Sequence, residues 1–359
     1  MRIFSGGLVA LLFVPAFVTP QRDAEIQKIL VDRIDVQRQG VGLVVGIVDP
    51  KGRRFVAYGK SGSEAPLNGD TIFEMGSVSK VFTSLLLADA VARGEMSLAD
   101  PVAKYLPASV KMPVRGGKQI TLQDLAMHTS ALPRLPTNLA PKDMSNPYAD
   151  YSVEQMYAFL SSYELTRDIG ERYEYSNLGA GLLGHVLTVH AKTDYESLVR
   201  KRITEPLGMR DTAVTLTPRM QQRLATGHNA QRAPVPNWDI PTLAGAGAIR
   251  SSANDMVTFL SAHLGLTPSP LAKAMDSMLV TLRQTPTPRL QIGLAWHVLT
   301  APSGGEIVWH NGGTGGYRTF VGFHRQERRA VVVLSNMSTP AGADDIGRHL
   351  LDPLFPLLK

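Results

Sequence analysis

The sequence predicts an α/β (α+β) fold. An antiparallel sheet is built from both chain ends and flanked by helices, and a mostly helical lobe is carried between its halves. Three observations lead there. Strand-like runs cluster at residues 41–48 and 53–59 and again beyond Arg289. From about 95 to 244 such runs are rare, Pro and Gly are frequent, and apolar residues recur at helical spacing only in short segments. The 359 residues are 44% hydrophobic, enough for a sizeable core in one large domain or two intimately packed ones.

In chain order, Arg2 is followed by an apolar run, Leu8 to Val18, and then by Thr19-Pro20-Gln21. A short basic start, an apolar centre and a polar exit read as a secretory signal peptide over 1–20, so the protein is expected to be exported, periplasmic or secreted. Val14-Pro15-Ala16 offers one acceptable small-residue cleavage site. The run is short for a bilayer, and no later stretch is long and apolar enough, so no membrane span is expected in the mature chain. The remainder, 21–359, divides into an α/β part at about 21–94 and 245–359 and a helical lobe at about 95–244.

Asp23 to Gln37 has Ile26, Ile29, Leu30 and Ile34 on one side and reads as a helix. Val41 to Val48 is a β-branched, nearly continuous apolar run; Asp49-Pro50-Lys51-Gly52 is a turn, and Arg53 to Gly59 is the returning strand. Val81 to Ala92 is a helix. The lobe carries short helices at Leu122–Met127, Val153–Leu160, Leu178–His190 and Tyr195–Ile203. Gly245-Ala246-Gly247-Ala248-Ile249 is a segment where backbone can approach another group closely. Ser251 to Leu264 is a further helix. Strands are expected at Leu290–Leu299, Glu306–His310, Arg318–His324 and Ala330–Leu334, then a last helix from Asp344.

Net charge is +6, but the charges are scattered and no basic block is interleaved with aromatics, so nucleic-acid binding is not expected. The absence of cysteine excludes disulfides, thiol nucleophiles and thiolate metal sites. No H-E-x-x-H occurs and the histidines lack ligand spacing; neither a metal nor a cofactor is expected. No obligate protein partner is evident.

Three stretches carry chemistry. In Glu74-Met75-Gly76-Ser77-Val78-Ser79-Lys80, Ser77 and Lys80 stand three residues apart at a helix start, on one face. The field of the first turn favours negative charge beside Ser77 and lowers the proton affinity of Lys80, which suits a nucleophile and a general base. Taken alone, the pair reads more readily as an N-cap and a solvated first-turn lysine. Tyr175-Ser176-Asn177 precedes the helix at Leu178; beside an ammonium the phenolate becomes more accessible, and Asn177 can donate to a carbonyl. Alone it reads as a turn capped by Asn177. In Trp309-His310-Asn311-Gly312-Gly313-Thr314-Gly315-Gly316-Tyr317, glycines at the end of a strand let a substrate lie along its edge.

The order of S-x-x-K, Y-S-N and H-N-G ahead of T-G-G-Y resembles the class C-type β-lactamase and penicillin-binding-protein family of serine hydrolases. Asp124-Leu125-Ala126-Met127-His128-Thr129-Ser130-Ala131-Leu132-Pro133 is close to that family's LLxHTSGLP segment. Glu205-Pro206-Leu207-Gly208-Met209 fits as well, and Gly245 to Asp255 resembles AGGLxSTAxDM. The class A glutamate motif is absent. The resemblance implies a β-lactamase/DD-peptidase fold. It makes Ser77 the nucleophile, Lys80 and Tyr175 a coupled proton-shuttling pair with the base unassigned, and Asn177 the group that orients the substrate amide. The N–H groups of Ser77 and Gly313 would form the oxyanion hole, and His310, Asn311, Gly312, Gly313 and Thr314 would line the substrate. His310 stands where many relatives have lysine, as in the branch that includes D-alanyl-D-alanine carboxypeptidases and esterases. Those carboxypeptidases place an arginine on the preceding strand; here that strand reads Ala295-Trp296-His297, and Arg289 and Arg318 are the other cations of the region.

The expected function is an exported serine hydrolase acting through a Ser acyl-enzyme on β-lactam or D-alanyl peptide amides, with a small-molecule or peptidoglycan-derived substrate. A carboxylesterase of the same fold, or a penicillin-binding sensor that acylates without turnover, is the alternative.

Overall fold

The apolar run after Val41 becomes β1 (Gly42–Asp49), and the turn at Pro50 and Lys51 returns it as β2 (Gly52–Gly59). The computed structural model describes residues 19–339 and 341–358. The predicted signal segment therefore lies outside the described residues, except Thr19 and Pro20, whose backbone opens α1 (Thr19–Val31). After β2 come β3 (Ile72–Glu74), a 3₁₀ turn at Gly76–Val78 and α2 (Ser79–Ala92). The insert begins with the hairpin β4 (Val114–Arg115) and β5 (Lys118–Gln119). It continues through α3 (Leu122–Ala126), α4 (Val153–Ser162), α5 (Asn177–Ala191), α6 (Tyr195–Val199), α7 (Glu205–Leu207) and α8 (Pro218–Gln221). The chain then enters α9 (Ala244–Gly247), β6 (Arg250–Ser252), α10 (Ala253–His263) and α11 (Ala272–Ser277). Last come β7 (Arg283–Gln284), β8 (Leu290–Ile292), β9 (His297–Thr300), β10 (Glu306–Gly313), β11 (Arg318–His324), β12 (Arg329–Ser335) and α12 (Asp344–Leu351).

The two chain ends meet in one eight-stranded sheet of order β2-β1-β12-β11-β10-β9-β8-β7. Antiparallel pairing of β1 with β12 sets Val45 opposite Val333 and Ile47 opposite Val331. Both faces of the central strands are covered, which is why their sequences read as unbroken apolar runs rather than alternating ones. Leu43, Val45 and Ile47 pack with Ile26, Leu30 and Ile34 of the N-terminal helix and with Ile346 and Leu351 of α12. Val44 and Val48 face the larger core, shared with α2, α5 and α10. Local signals set the helix starts. Thr121 with Asp124, and Ser152 with Gln155, form reciprocal capping boxes, and Ser252 caps α10 by accepting from Asp255 N.

Leu290–Leu299 is not one strand but a hairpin, with Ile292 opposite His297. Ala295 takes a left-handed φ of 63°, and its N–H donates to Ala126 O at 3.0 Å while Leu294 N donates to Met278 O at 2.9 Å. Donors that a continuous strand would give to its neighbour go instead to Ala126 at the end of α3 and to Met278 just after α11, while Trp296 is fully buried. The β3–β6 pair, with Phe73 opposite Ser251, also escapes sequence reading, because three-residue strands carry too short a pattern.

Ala131 is buried with φ 63°. It occupies the position of the glycine in the LLxHTSGLP pattern. Ala131→Gly is expected to raise stability by up to about 1 kcal/mol, because release of roughly 1–2 kcal/mol of left-handed strain outweighs glycine's extra chain entropy. An upward shift of the thermal midpoint checks this; a downward one refutes it.

Candidate active site

The site lies where the helical insert meets the edge of the sheet. Ser77 sits in the 3₁₀ turn that leads into α2, with Gly76 before it at φ 51°. That turn is pinned from three sides. Met75 N donates to Ile249 O at 2.8 Å, Ile249 N donates to Ser79 Oγ at 3.0 Å, and Thr319 Oγ1 donates to Met75 O at 3.0 Å. Gly76 packs on Gly313 so closely that a Cβ there would lie 2.6 Å from Gly313 N. The glycines thus bring the end of β10 against the Ser77 turn.

Lys80 is 1% exposed, and its Nζ lies 3.0 Å from Ser77 Oγ and 2.7 Å from Ala246 O. Burial pushes the Lys80 ammonium well below its usual range, and the nearby Arg134 charge adds to the shift. Ala246 comes from the glycine-rich segment, which approaches α2 and α5 closely: a Cβ on Gly245 would sit 2.9 Å from Ala180 O and 3.0 Å from Thr83 Oγ1.

Tyr175 reaches the same point from the loop before α5. Its ring lies 4.8 Å from Lys80 Nζ, and its hydroxyl faces Ser77. Burial drives its phenol well above the usual range, and the Ser77 contact only partly offsets that. Asn177 opens α5 and lines the cleft with Ser77, Tyr148, Trp238, Gly313 and Thr314. The buried Asn177 Oδ1 and Thr314 Oγ1 have no hydrogen-bond partner among the described residues.

His310 is 0% exposed, and its Nδ1–H donates to Asn311 O at 2.6 Å. Burial and the neighbouring His297 and Lys80 charges hold it well below the usual histidine range, so it is neutral. It belongs to a buried ring cluster, 5.2 Å from His297 and 6.4 Å from Tyr175 between centroids. His128 lies 4.5 Å from Tyr175, and its Nδ1 accepts from Ser176 N at 3.1 Å. His310 in this environment offers a substrate carboxylate no positive charge, unlike the lysine that many relatives have at this position. Asn311 is also not brought to the cleft. Strand alternation turns its side chain to the other face of the sheet, where Nδ2 donates to Asp344 Oδ2 at 2.6 Å. Gly312 is buried against Met75 O and Thr319 Oγ1, so its role is close packing rather than exposure to ligand.

Sequence reading missed three groups. Tyr148 and Trp238 wall the cleft from loops whose local pattern carries no signal. Arg134, directly after the His128–Pro133 segment, places Cζ 5.1 Å from the Tyr175 ring. Of the arginines the sequence did single out, Arg318 is committed to Thr314 O, Tyr317 O and Thr339 O, and Arg289 lies exposed at the turn before β8.

Gly312→Ala is expected to cut kcat/KM by about a hundredfold or more, because the methyl would collide with the Met75 carbonyl and the Thr319 hydroxyl and push the Ser77 turn off position. Near-normal turnover in a folded variant would show that β10 does not set that turn.

A serine hydroxyl within reach of a buried lysine and a half-buried tyrosine, beside glycine backbone, is the arrangement of a serine hydrolase. The chain belongs to the Beta-lactamase family, whose model matches residues 23–353. It is 29% identical over 335 residues to the D-alanyl-D-alanine-carboxypeptidase/endopeptidase AmpH of Escherichia coli, covering 89% of this chain and 85% of that protein. It is 26% identical to a beta-lactamase of Lysobacter lactamgenus, over 96% of this chain and 95% of that one. A class C beta lactamase from Rhodobacter sphaeroides superposes with TM-score 0.75 at 26% identity, covering 89% of this chain and 94% of that chain.

Proposed function

We propose that this chain is an exported hydrolase that opens β-lactam or D-alanyl peptide amide bonds through an acyl-enzyme on Ser77. The observation that carries the reading is the buried Lys80 Nζ at 3.0 Å from Ser77 Oγ. With its proton affinity lowered, the amine donates to Ala246 O and turns its lone pair to the serine hydroxyl. As Oγ attacks the carbonyl carbon, Lys80 takes the proton, and the Ser77 and Gly313 N–H groups hold the oxyanion. Donors aimed in this way are worth roughly 3–4 kcal/mol each in related chemistry. Collapse breaks the C–N bond. The Tyr175 phenol gives its proton to the leaving nitrogen and is reprotonated by Lys80. Water then follows the same route in reverse, and Ser77 recovers its proton. Asn177 holds the substrate amide through its side chain. Export rests on the pattern of Arg2, Leu8–Val18 and Thr19-Pro20-Gln21.

A second reading, a carboxylesterase with the same machinery, is favoured by one observation: His310, fully buried with Nδ1 on Asn311 O and held below the usual histidine range, supplies no cation for a substrate carboxylate. Purified protein tested against a cephalosporin, a D-Ala-D-Ala peptide and a p-nitrophenyl ester decides. Turnover of either amide supports the first reading; rapid turnover of the ester alone overturns it in favour of the second. A stoichiometric burst without turnover marks a sensor.

A further inference from the structure

We propose that Arg134 determines specificity by binding the substrate carboxylate that lies one carbon from the scissile nitrogen. The proposal rests on the amide-cleaving reading above and adds the recognition element that His310 does not provide.

Geometry places Arg134 beside Tyr175, the group that the mechanism above assigns to the leaving nitrogen. Its backbone is locked to the start of α5: Asn177 N and Leu178 N donate to Arg134 O at 2.9 and 3.2 Å, and Ser176 Oγ donates to the neighbouring Pro133 O at 2.7 Å. These contacts tie Arg134 to the loop that carries Tyr175. The guanidinium carbon stands 5.1 Å from the Tyr175 ring centroid, a cation–π distance. The side chain is exposed, and among the described residues it has no hydrogen bond or ion pair. Glu174, the carboxylate beside Tyr175 in sequence, is paired with Arg167 at 2.8 Å. The guanidinium donors of Arg134 therefore have no hydrogen-bond partner among the described residues, beside the Tyr175 ring.

The other cations of the region are committed. Lys80 is buried on Ala246 O and Ser77 Oγ. Arg318 donates to three backbone carbonyls. Arg250 is held by Val214 O and Trp238 O and lies beside Glu74. The field of Arg134 already reaches the site, since its charge helps lower Lys80 and opposes the rise of Tyr175.

Chemistry then names the ligand group. The nitrogen that leaves must meet the Tyr175 hydroxyl to receive its proton. In a D-alanyl peptide that nitrogen belongs to an α-amino acid, so the carboxylate is attached to the next carbon. In penicillins and cephalosporins the carboxylate likewise stands one carbon from the lactam nitrogen. In both classes the anion is carried to the neighbourhood of the Tyr175 ring, where a planar fork with free donors takes a carboxylate in bidentate geometry.

The test compares kcat/KM for one peptide ending in D-Ala-D-Ala with a free carboxylate against the same peptide with a C-terminal carboxamide. Wild type is expected to prefer the carboxylate. In Arg134→Gln that preference should fall by about ten- to a hundredfold, mainly through KM, as loss of a charge-assisted pair dictates. Arg134→Lys should restore part of it, since the charge returns without the fork; a purely structural role gives no such graded recovery. An equal carboxylate preference in wild type and Arg134→Gln overturns the proposal, as does a wild type indifferent to the carboxylate. If wild type cleaves neither peptide and no β-lactam but does cleave neutral esters, the amide reading itself falls, and the role of Arg134 falls with it.

Discussion

Ser77→Ala is expected to remove turnover of β-lactam, D-alanyl peptide and ester alike, and to leave thermal unfolding nearly unchanged. The hydroxyl is the atom that Lys80 Nζ approaches at 3.0 Å and that Tyr175 faces. Without it no acyl-enzyme forms, and neither remaining group is placed to attack a carbonyl itself. Loss of a nucleophile of this kind costs on the order of 10⁶-fold in kcat. The fold should tolerate the change. The turn is held by Met75, Ser79 and Thr319 through bonds that do not use Ser77 Oγ, and the cost is at most about 1 kcal/mol of lost local hydrogen bonding. Intact-mass spectrometry should show an acyl adduct of a slow β-lactam on wild type and none on the variant. Retained turnover in a homogeneous preparation of the variant would end the nucleophile assignment.

Motif order made the fold and the centre of the site legible from sequence. Ser77, Lys80, Tyr175 and Asn177 do converge, because each stands at the start of a helix or the loop before it, and such positions are marked by local signals. The continuous apolar runs at Val44–Val48 and Val331–Leu334 likewise announce strands covered on both faces. What was not legible depends on three-dimensional surroundings. Asn311 follows His310 in the motif, but only the register of β10 decides that its side chain meets Asp344 rather than the cleft. The charge state of His310 follows from burial among His297, His128 and Lys80, which come from distant parts of the chain. Arg134 has no motif of its own; its place comes from hydrogen bonds between its backbone and the start of α5. The hairpin at 290–299 was hidden because Trp296 and Ala295 suit a strand by composition, while tertiary bonds to Ala126 and Met278 fold them into a turn.

Lys80 and Tyr175 are expected to fail as a unit, and the pH profile should reveal which of them starts as the base. Lys80→Met and Tyr175→Phe should each lower kcat/KM by roughly 10³-fold or more, and the double variant should lose little beyond the worse single, because one proton route passes through both. Losses that multiply in the double variant would refute a shared route. The sign of the pH dependence follows from the two shifts. Burial lowers the proton affinity of Lys80 and raises that of Tyr175, so the free enzyme at neutral to alkaline pH holds increasingly neutral amine beside an intact phenol. If the amine is the base, kcat/KM for a neutral ester rises with pH through the lowered Lys80 pKa. It then stays on a plateau, since Tyr175 does not ionise in the accessible range. His128 and His310, also near Lys80, are held well below the usual histidine range, so they become neutral at lower pH and do not bring the profile down again. If instead a phenolate supported by an ammonium were the base, activity would need Lys80 protonated, and kcat/KM would fall as pH rises through its pKa. A plateau on the alkaline side therefore assigns Lys80 as base in the free enzyme, while a descending limb that disappears in Lys80→Arg assigns Tyr175.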